Sequence, residues 1–89
     1  MERLNDAQLA ALPGWERQGD TIRKTFVCAS FPAAIAFVAH VGFLAEAAAH
    51  HPDIDVRWRS VTLALTTHDA GGLTERDADL AAQIDAIWR

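Results

Sequence analysis

The residues of this chain best suited to chemistry are histidines and the carboxylates near them. Three of the four histidines, His50, His51 and His68, lie in the second half of the 89 residues. Imidazole is the side chain that gives and takes protons most readily near neutral pH. Their clustering favours general acid–base catalysis over other kinds of site.

A carboxylate precedes the first of these histidines at helical spacing. Glu46 and His50 are four residues apart, so on a continuous helix they share one face within contact range. We expect Glu46 to fix the orientation of the His50 ring and to favour its charged form, as does the dipole at the helix C-terminus. His51 would lie about 100° further round and point to another part of the same cleft.

His68 and Asp77 are expected to complete this cleft. His68 would end a strand at the edge of the sheet that the helix covers, and Asp77 lies in the first turn of the last helix. Taken singly, each has an ordinary structural interpretation, since most surface histidines are simply solvated and an acid in a first turn usually caps its helix. His40 keeps that interpretation, because it has no apparent partner.

Two other chemistries use some of the same residues. Glu46, His50 and His68 could supply the three protein ligands of an open zinc site, but adjacent histidines rarely both reach one ion. The His-Glu-x-x-His pattern of zinc proteases is absent, as is the Gly-x-Ser-x-Gly motif of serine hydrolases. Cys28 falls inside a predicted strand, where it is expected to be a small core residue rather than a nucleophile.

Hydrophobic periodicity predicts the elements in the order α-β-β-α-β-β-α. A short helix at about 5–11 would begin at Asn5, a good N-cap. Two strands follow, at 15–18 and 21–28, and Gly19 at the first central position favours a type II′ turn between them.

The longest predicted element is a second helix that begins after Ser30, a good N-cap, and continues to about Ala49. We expect Pro52 to end it, because proline disfavours helical geometry in the residue before it. Ile35, Val38, Val41 and Ala45 would form its buried stripe, which Phe37, Leu44 and Ala48 broaden.

The remaining pattern predicts two more strands and a helix. A short strand at 54–56 is followed by one at 61–68, in which Val61, Leu63, Leu65 and Thr67 face the helices. Thr74 then begins the last helix with Asp77 in an acidic capping box. Short turns join both strand pairs, so we expect an α+β fold: a four-stranded antiparallel sheet with helices on one face.

Length and composition indicate one globular domain over residues 1–89, since 51% of the residues are hydrophobic and 22% are charged. The net charge of −4 disfavours direct nucleic-acid binding. The longest apolar segment contains His40, Gly42 and Glu46, which favours a buried helix over a membrane span. A single cysteine forms no internal disulfide, so we expect a reducing compartment and a cytoplasmic location.

The pattern Glu46-x-x-x-His50-His51-Pro52, followed by Trp58, His68 and Asp77 at fixed gaps, resembles the signature of the pterin-4a-carbinolamine dehydratases. The surrounding sequence is similar too, from about Leu9 to Ile87. It includes Gly14-Trp15, Phe26, Phe31, Phe37, the segment Val61 to His68 and Gly71-Gly72-Leu73-Thr74.

The resemblance implies the α+β fold described above and an activity. The expected reaction is dehydration of 4a-hydroxytetrahydrobiopterin to the quinonoid dihydropterin plus water, in pterin recycling, with no metal and no cofactor. By resemblance, His50 and His68 are the acid and base, in an order that the sequence leaves open, and Glu46 orients His50. The substrate-binding residues would be His51, Pro52, Thr67, Asp69, Ala70 and Asp77.

The resemblance also bears on partners. It implies a homodimer or homotetramer that binds a pterin substrate. An apolar second helix and an unpaired sheet edge are both consistent with self-association. The alternative is a non-catalytic role, as a dimerisation cofactor or assembly scaffold for another protein. Because the full set of signature residues is present, the enzyme is favoured over the scaffold.

Overall fold

The computed structural model describes residues 2–88, which form one four-stranded antiparallel sheet and three α-helices. The sheet order is β1-β2-β4-β3, so β1 and β3 are the edge strands. The elements are α1 (Asp6–Ala10), β1 (Glu16–Gln18), β2 (Thr21–Val27), α2 (Phe31–Ala48), β3 (Asp53–Arg57), β4 (Ser60–Leu65) and α3 (Glu75–Ile87), with a 3-10 turn at His68–Ala70. The predicted α+β class and element order are confirmed.

The β1–β2 hairpin forms as its turn residues predict. Gln18 pairs with Thr21, which leaves Gly19 and Asp20 as a two-residue loop. Gly19 has a φ of 60°, and Asp20 has no positive φ. Positive φ at the first central position alone is the pattern of a type II′ turn, which matches the twist of the strands that it joins.

The buried face of the sheet comes from alternate residues of β2 and β4. Ile22, Phe26, Val61, Leu63 and Leu65 are at most 2% exposed. The intervening residues of β2 carry charged or polar side chains that solvent reaches. This alternation is what an antiparallel sheet with one covered face requires.

The second helix ends for a different reason from the one predicted. Its last residue is Ala48, and Ala49 lies in the left-handed region with a φ of 51°. The backbone N–H of His50 donates to the carbonyl of Ala45 at 3.0 Å, and that of Ala49 donates to Glu46 at 3.1 Å. These bonds form a Schellman-type end three residues before Pro52, so the proline is not the immediate cause. His50 and His51 therefore lie outside the helix.

The buried stripe of α2 is also displaced from the predicted one. Phe37, Val41 and Ala45 are buried as expected, and Ala34 is the other buried residue. Ile35 was expected in the core and is 46% exposed. By length and composition alone α2 could cross a membrane, a test that the core helix of a soluble protein also passes.

The fourth strand is shorter than predicted. It ends at Leu65 rather than reaching His68. Thr67 instead pairs with Gly72, its N–H donating at 3.1 Å and its carbonyl accepting at 3.3 Å. His68 begins the 3-10 turn that these two bonds enclose, so its side chain no longer follows the alternation of the strand.

The last helix begins as predicted. Thr74 is the N-cap, and Asp77 closes the capping box by accepting from the Thr74 backbone N–H at 2.9 Å. Leu80, Ala81 and Ile84 form the buried face of α3. The start of α3 thus lies beside the end of α2, with Asp77 buried between them.

Candidate active site

A cleft of about 250 Å³ lies where the end of α2, the loop after β4 and the start of α3 meet. Its lining residues are Ala49, His50, His51, Thr66, Thr67, His68, Asp69 and Arg76. Three histidines from two separate segments of the chain therefore line one cleft. This gives several imidazoles access to one small ligand, the arrangement that proton transfer needs.

The carboxylate partner of His50 is Asp77. His50 Nε2 lies 2.6 Å from Asp77 Oδ1, and the two side chains are 8% and 0% exposed. The prediction that Glu46 contacts His50 is wrong. Because Ala49 is left-handed, His50 leaves the helical path and turns toward α3, so the four-residue spacing does not apply to it.

Glu46 instead contacts the second histidine of the pair. His51 Nε2 lies 2.7 Å from Glu46 Oε1, and the side chains are 66% and 80% exposed. The two adjacent histidines thus belong to two hydrogen-bonded pairs, one in the interior and one in solvent. An exposed pair of this kind contributes little to stability, typically about 1 kcal/mol or less.

Asp77 accepts three hydrogen bonds. Besides the contact of Oδ1 with His50, its Oδ2 accepts from the Thr67 hydroxyl at 2.7 Å and from the Thr74 backbone N–H at 2.9 Å. A buried carboxylate needs such partners, because an unpaired buried charge is strongly unfavourable. Asp77 therefore both caps α3 and orients the His50 ring.

The remaining residues predicted for the site are distributed around the cleft. His68 and Asp69 are exposed on its rim. Ala70 lines a smaller adjoining hollow of about 120 Å³ that shares Thr67, Asp69 and Arg76 with the cleft. Thr67 is 2% exposed and its hydroxyl is engaged with Asp77. Pro52 is half-buried and does not line the cleft.

Arg76 lines the cleft and was missed by the sequence analysis. Its Nη2 donates to the carbonyl of Ala49 at 2.5 Å, which ties the start of α3 to the end of α2. The sequence feature that could have identified Arg76 is its place in the first turn of α3, because a helix N-terminus favours acidic residues and disfavours a cation there. An arginine at that place indicates an external acceptor for its N–H groups.

The zinc set weighed from the sequence is not assembled. Within residues 2–88, no three His, Cys, Asp or Glu side chains lie close enough to hold a metal ion together. Glu46 and His50 have separate partners, which is why they cannot converge with His68.

A second hollow of about 270 Å³ lies beside Cys28 and Phe37, between α2 and the end of α3. Its lining includes His40 and Trp88 but no carboxylate. Without a partner to orient His40, this hollow lacks the paired groups that the first cleft contains. The cleft at His50 is therefore the candidate active site.

Comparison with protein families identifies the family of this chain. The model of the family described as Pterin 4 alpha carbinolamine dehydratase matches residues 2–87. The chain belongs to this family. The resemblance noted from the sequence is thereby confirmed over almost the full length.

Relatives and solved structures extend the match. A Roseiflexus sp. (strain RS-1) protein, named provisionally as a pterin-4-alpha-carbinolamine dehydratase, is 68% identical, covering 96% of each chain. A Nocardia farcinica protein with the same provisional name is 58% identical, covering 99% of this chain and 97% of its own.

Two solved structures share the fold. One, described as a transcriptional coactivator/pterin dehydratase from Brucella melitensis, has a TM-score of 0.91 at 31% identity, covering 99% of this chain and 100% of its own. The other is a pterin dehydratase-like protein described as a RuBisCO assembly factor in the alpha-carboxysome. It has a TM-score of 0.66 at 25% identity, covering 81% of this chain and 83% of its own.

Proposed function

We propose that this protein is a hydro-lyase that dehydrates 4a-hydroxytetrahydrobiopterin to the quinonoid dihydropterin and water. The observation that carries the proposal is the buried contact of His50 with Asp77 in the wall of a cleft that also presents His51 and His68. Family membership supports a dehydratase, and this arrangement supplies the acid and base that dehydration needs.

The reaction moves two protons and two electron pairs. The C4a–O bond breaks, and the departing hydroxyl takes a proton from an acid to leave as water. The N5–H bond gives its proton to a base, and its electron pair forms the C4a=N5 double bond. An acid and a base on opposite sides of the ring accelerate both steps, and each typically raises the rate by about 10²- to 10⁴-fold.

The geometry favours His50 as the base and His68 as the acid. Asp77 holds Nε2 of His50, so the other ring nitrogen is the one available to a ligand. His68 is exposed on the rim, where solvent can return the proton that it gives away. After one turnover the proton taken by His50 and the proton lost by His68 are both exchanged with water.

The other residues of the cleft are proposed to bind the pterin. His51, held by Glu46 at the solvent edge, would position the ring rather than transfer a proton. The segment from Thr67 to Ala70 borders the cleft and its adjoining hollow, and its backbone groups that are not used within the turn can bond the polar ring edge. Glu46 acts here through His51, not through His50.

A direct assay tests the proposal. The protein is mixed with freshly generated 4a-hydroxytetrahydrobiopterin, and the loss of ultraviolet absorbance is followed by stopped flow. We expect His50→Ala and His68→Ala each to lower kcat by about 10²- to 10⁴-fold, and His51→Ala mainly to raise KM. A wild-type protein that does no better than buffer, or three variants with wild-type rates, would overturn it.

A protein-binding role is the second candidate, and one structural feature favours it. Phe31, Ile35 and Phe43 are 50%, 46% and 77% exposed on α2, away from its buried face. Large apolar side chains grouped on one helix face usually mark an interaction surface. We propose that this surface, the α2 outer face, first serves self-association into a dimer or tetramer, which is compatible with catalysis in the separate cleft.

A further inference from the structure

Two threonine hydroxyls extend the hydrogen-bonded pair of the site into the interior. The Thr67 hydroxyl lies 2.7 Å from Asp77 Oδ2, and it also lies 2.9 Å from the Thr74 hydroxyl. Thr67 is 2% exposed, and Thr74 and Asp77 are 0% exposed. The four side chains Thr74, Thr67, Asp77 and His50 therefore form one continuous buried chain.

Elementary bonding rules give this chain a single direction. An ionised carboxylate only accepts, so the Thr67 hydroxyl must donate its one hydrogen to Asp77. Its oxygen is then free to accept, and the Thr74 hydroxyl donates to it. The Thr74 oxygen in turn accepts from the backbone N–H of Arg76 at 3.3 Å. Every hydroxyl hydrogen in the chain is thus assigned.

The two donors to Oδ2 determine which oxygen faces His50. Oδ2 is occupied by Thr67 and by the Thr74 backbone N–H, which leaves Oδ1 for the His50 ring at 2.6 Å. Because Oδ1 can only accept, the Nε2 atom that it contacts must carry a hydrogen. In the neutral ring the lone pair then belongs to Nδ1.

Nδ1 of His50 has no hydrogen-bond partner within residues 2–88. It is nevertheless not sealed from solvent, because the buried side-chain atom left without a partner in that part of the chain is Arg59 Nε. His50 itself lines the cleft. A ligand in the cleft therefore meets a nitrogen with its lone pair exposed.

We propose that Thr67 and Thr74 are positioning residues, whose hydroxyls hold the Asp77 carboxylate with Oδ1 toward His50. Without the Thr67 hydroxyl the carboxylate can turn away from the ring, so the threonines keep the proton of neutral His50 on Nε2 and make Nδ1 the proton-accepting atom. The inference deepens the proposed function and rests on it for its catalytic consequence. It gives Thr67 a role different from that of a substrate-binding residue, because the hydroxyl is directed at Asp77 rather than at the cleft.

The fold contains a matched control for the test. Thr62 lies on β4, whereas Thr67 lies just beyond the end of that strand. The Thr62 hydroxyl lies 2.8 Å from the Thr25 hydroxyl on the opposite face of the sheet. A Thr62→Val change removes a threonine pair of the same kind with no connection to Asp77. The informative changes are Thr67→Val, which is nearly isosteric and lacks the hydroxyl, and Thr67→Ser, which retains it.

The first measurement is the ring tautomer, which needs no substrate. Protein labelled with ¹⁵N-histidine is examined by NMR at alkaline pH, where the nitrogen shifts and their couplings to ring carbon-bound protons identify the protonated nitrogen. We expect His50 to be protonated on Nε2 in the wild type, Thr67→Ser and Thr62→Val, and to show a mixed tautomer in Thr67→Val. Protonation on Nδ1 in the wild type would overturn the inference even if Thr67→Val does not fold.

The second measurement is steady-state kinetics, which separates an effect on kcat from an effect on KM. We expect Thr67→Val to lower kcat by about 10- to 100-fold with KM little changed, since one hydrogen bond to a charged group is lost. Thr67→Ser and Thr62→Val should stay near the wild-type kcat. An active wild type whose Thr67→Val variant keeps both kcat and tautomer would refute the inference alone, whereas an inactive wild type with the expected tautomers would refute only the proposed reaction.

Discussion

His50 and His51 are neighbours in the chain but contact different carboxylates at different depths. His50 is buried against Asp77, and His51 is exposed beside Glu46. Histidine content and spacing were enough to predict that His50, His51 and His68 meet at one cleft. Their pairing could not be predicted, because it depends on the left-handed conformation of Ala49, which nothing in the alanine side chain announces.

A pair of carboxylate-to-amide changes tests this assignment of partners. In Asp77→Asn the amide nitrogen can donate to His50 Nε2, which would then hold its proton on Nδ1, the wrong atom for a base facing the cleft. By the precedent of carboxylate–histidine pairs in catalysis, we expect kcat to fall by about 10²- to 10⁴-fold. In Glu46→Gln we expect kcat close to wild type and a raised KM, because only the exposed His51 loses its partner.

Steady-state kinetics on both variants decides between the two pairings. Asp79→Asn, an exposed residue of α3, serves as the charge-matched control and should behave as wild type. If Glu46→Gln lost more kcat than Asp77→Asn, then Glu46 rather than Asp77 would be the partner that orients the catalytic imidazole.

At the scale of elements, the site depends on where α2 stops and α3 starts. Capping residues predicted the N-termini of α2 and α3, because the side chains of Ser30 and Thr74 accept from backbone N–H groups that the first turn of a helix leaves unpaired. The C-terminus of α2 and the end of β4 were harder to predict from the sequence. Each is set by backbone geometry, a left-handed Ala49 and the Thr67–Gly72 pairing, rather than by a residue type with a strong preference.

Glycine at the end of α2 is expected to stabilise the protein. Ala49 has a φ of 51°, a conformation that is costly for alanine and available to glycine without strain. We expect Ala49→Gly to raise the free energy of unfolding by about 1 kcal/mol, measured by urea denaturation. Ala47→Gly, an exposed change within the helix, should lower it by about 0.5–1 kcal/mol. Equal destabilisation by both would show that Ala49 is not strained.

At the scale of the whole molecule, the core is small and aromatic. Phe26 lies 5.0 Å from Phe37 and 5.1 Å from Trp88 between ring centroids, with Trp15 at 6.1 Å. The periodicity of the strands predicted which residues of β2 and β4 are buried, because alternation leaves little choice of face. It could not predict which side of α2 is buried, because that helix is apolar almost all round and both sides satisfy the pattern.

The exposed apolar residues of α2 predict that copies of this chain associate with each other. Phe43 is 77% exposed, and Phe31 and Ile35 are 50% and 46% exposed on the same helix. Covering them with a second copy would bury apolar surface that a chain of 89 residues has no means to bury itself. We therefore expect the wild type to sediment as a dimer or tetramer at micromolar concentration, with a Tm that rises with protein concentration.

Phe43→Glu places a charge at the most exposed residue of the α2 outer face and should shift the sedimenting species toward the monomer. Gln83→Glu adds the same charge at an exposed position of α3 and should leave the assembly intact. The cleft lies at the opposite end of α2 from Phe31 and is lined by none of these side chains. We therefore expect kcat per chain to stay near the wild-type value in the monomeric variant. A wild type that is monomeric throughout, or a Phe43→Glu variant with unchanged mass, would mean that this face is not the contact between copies.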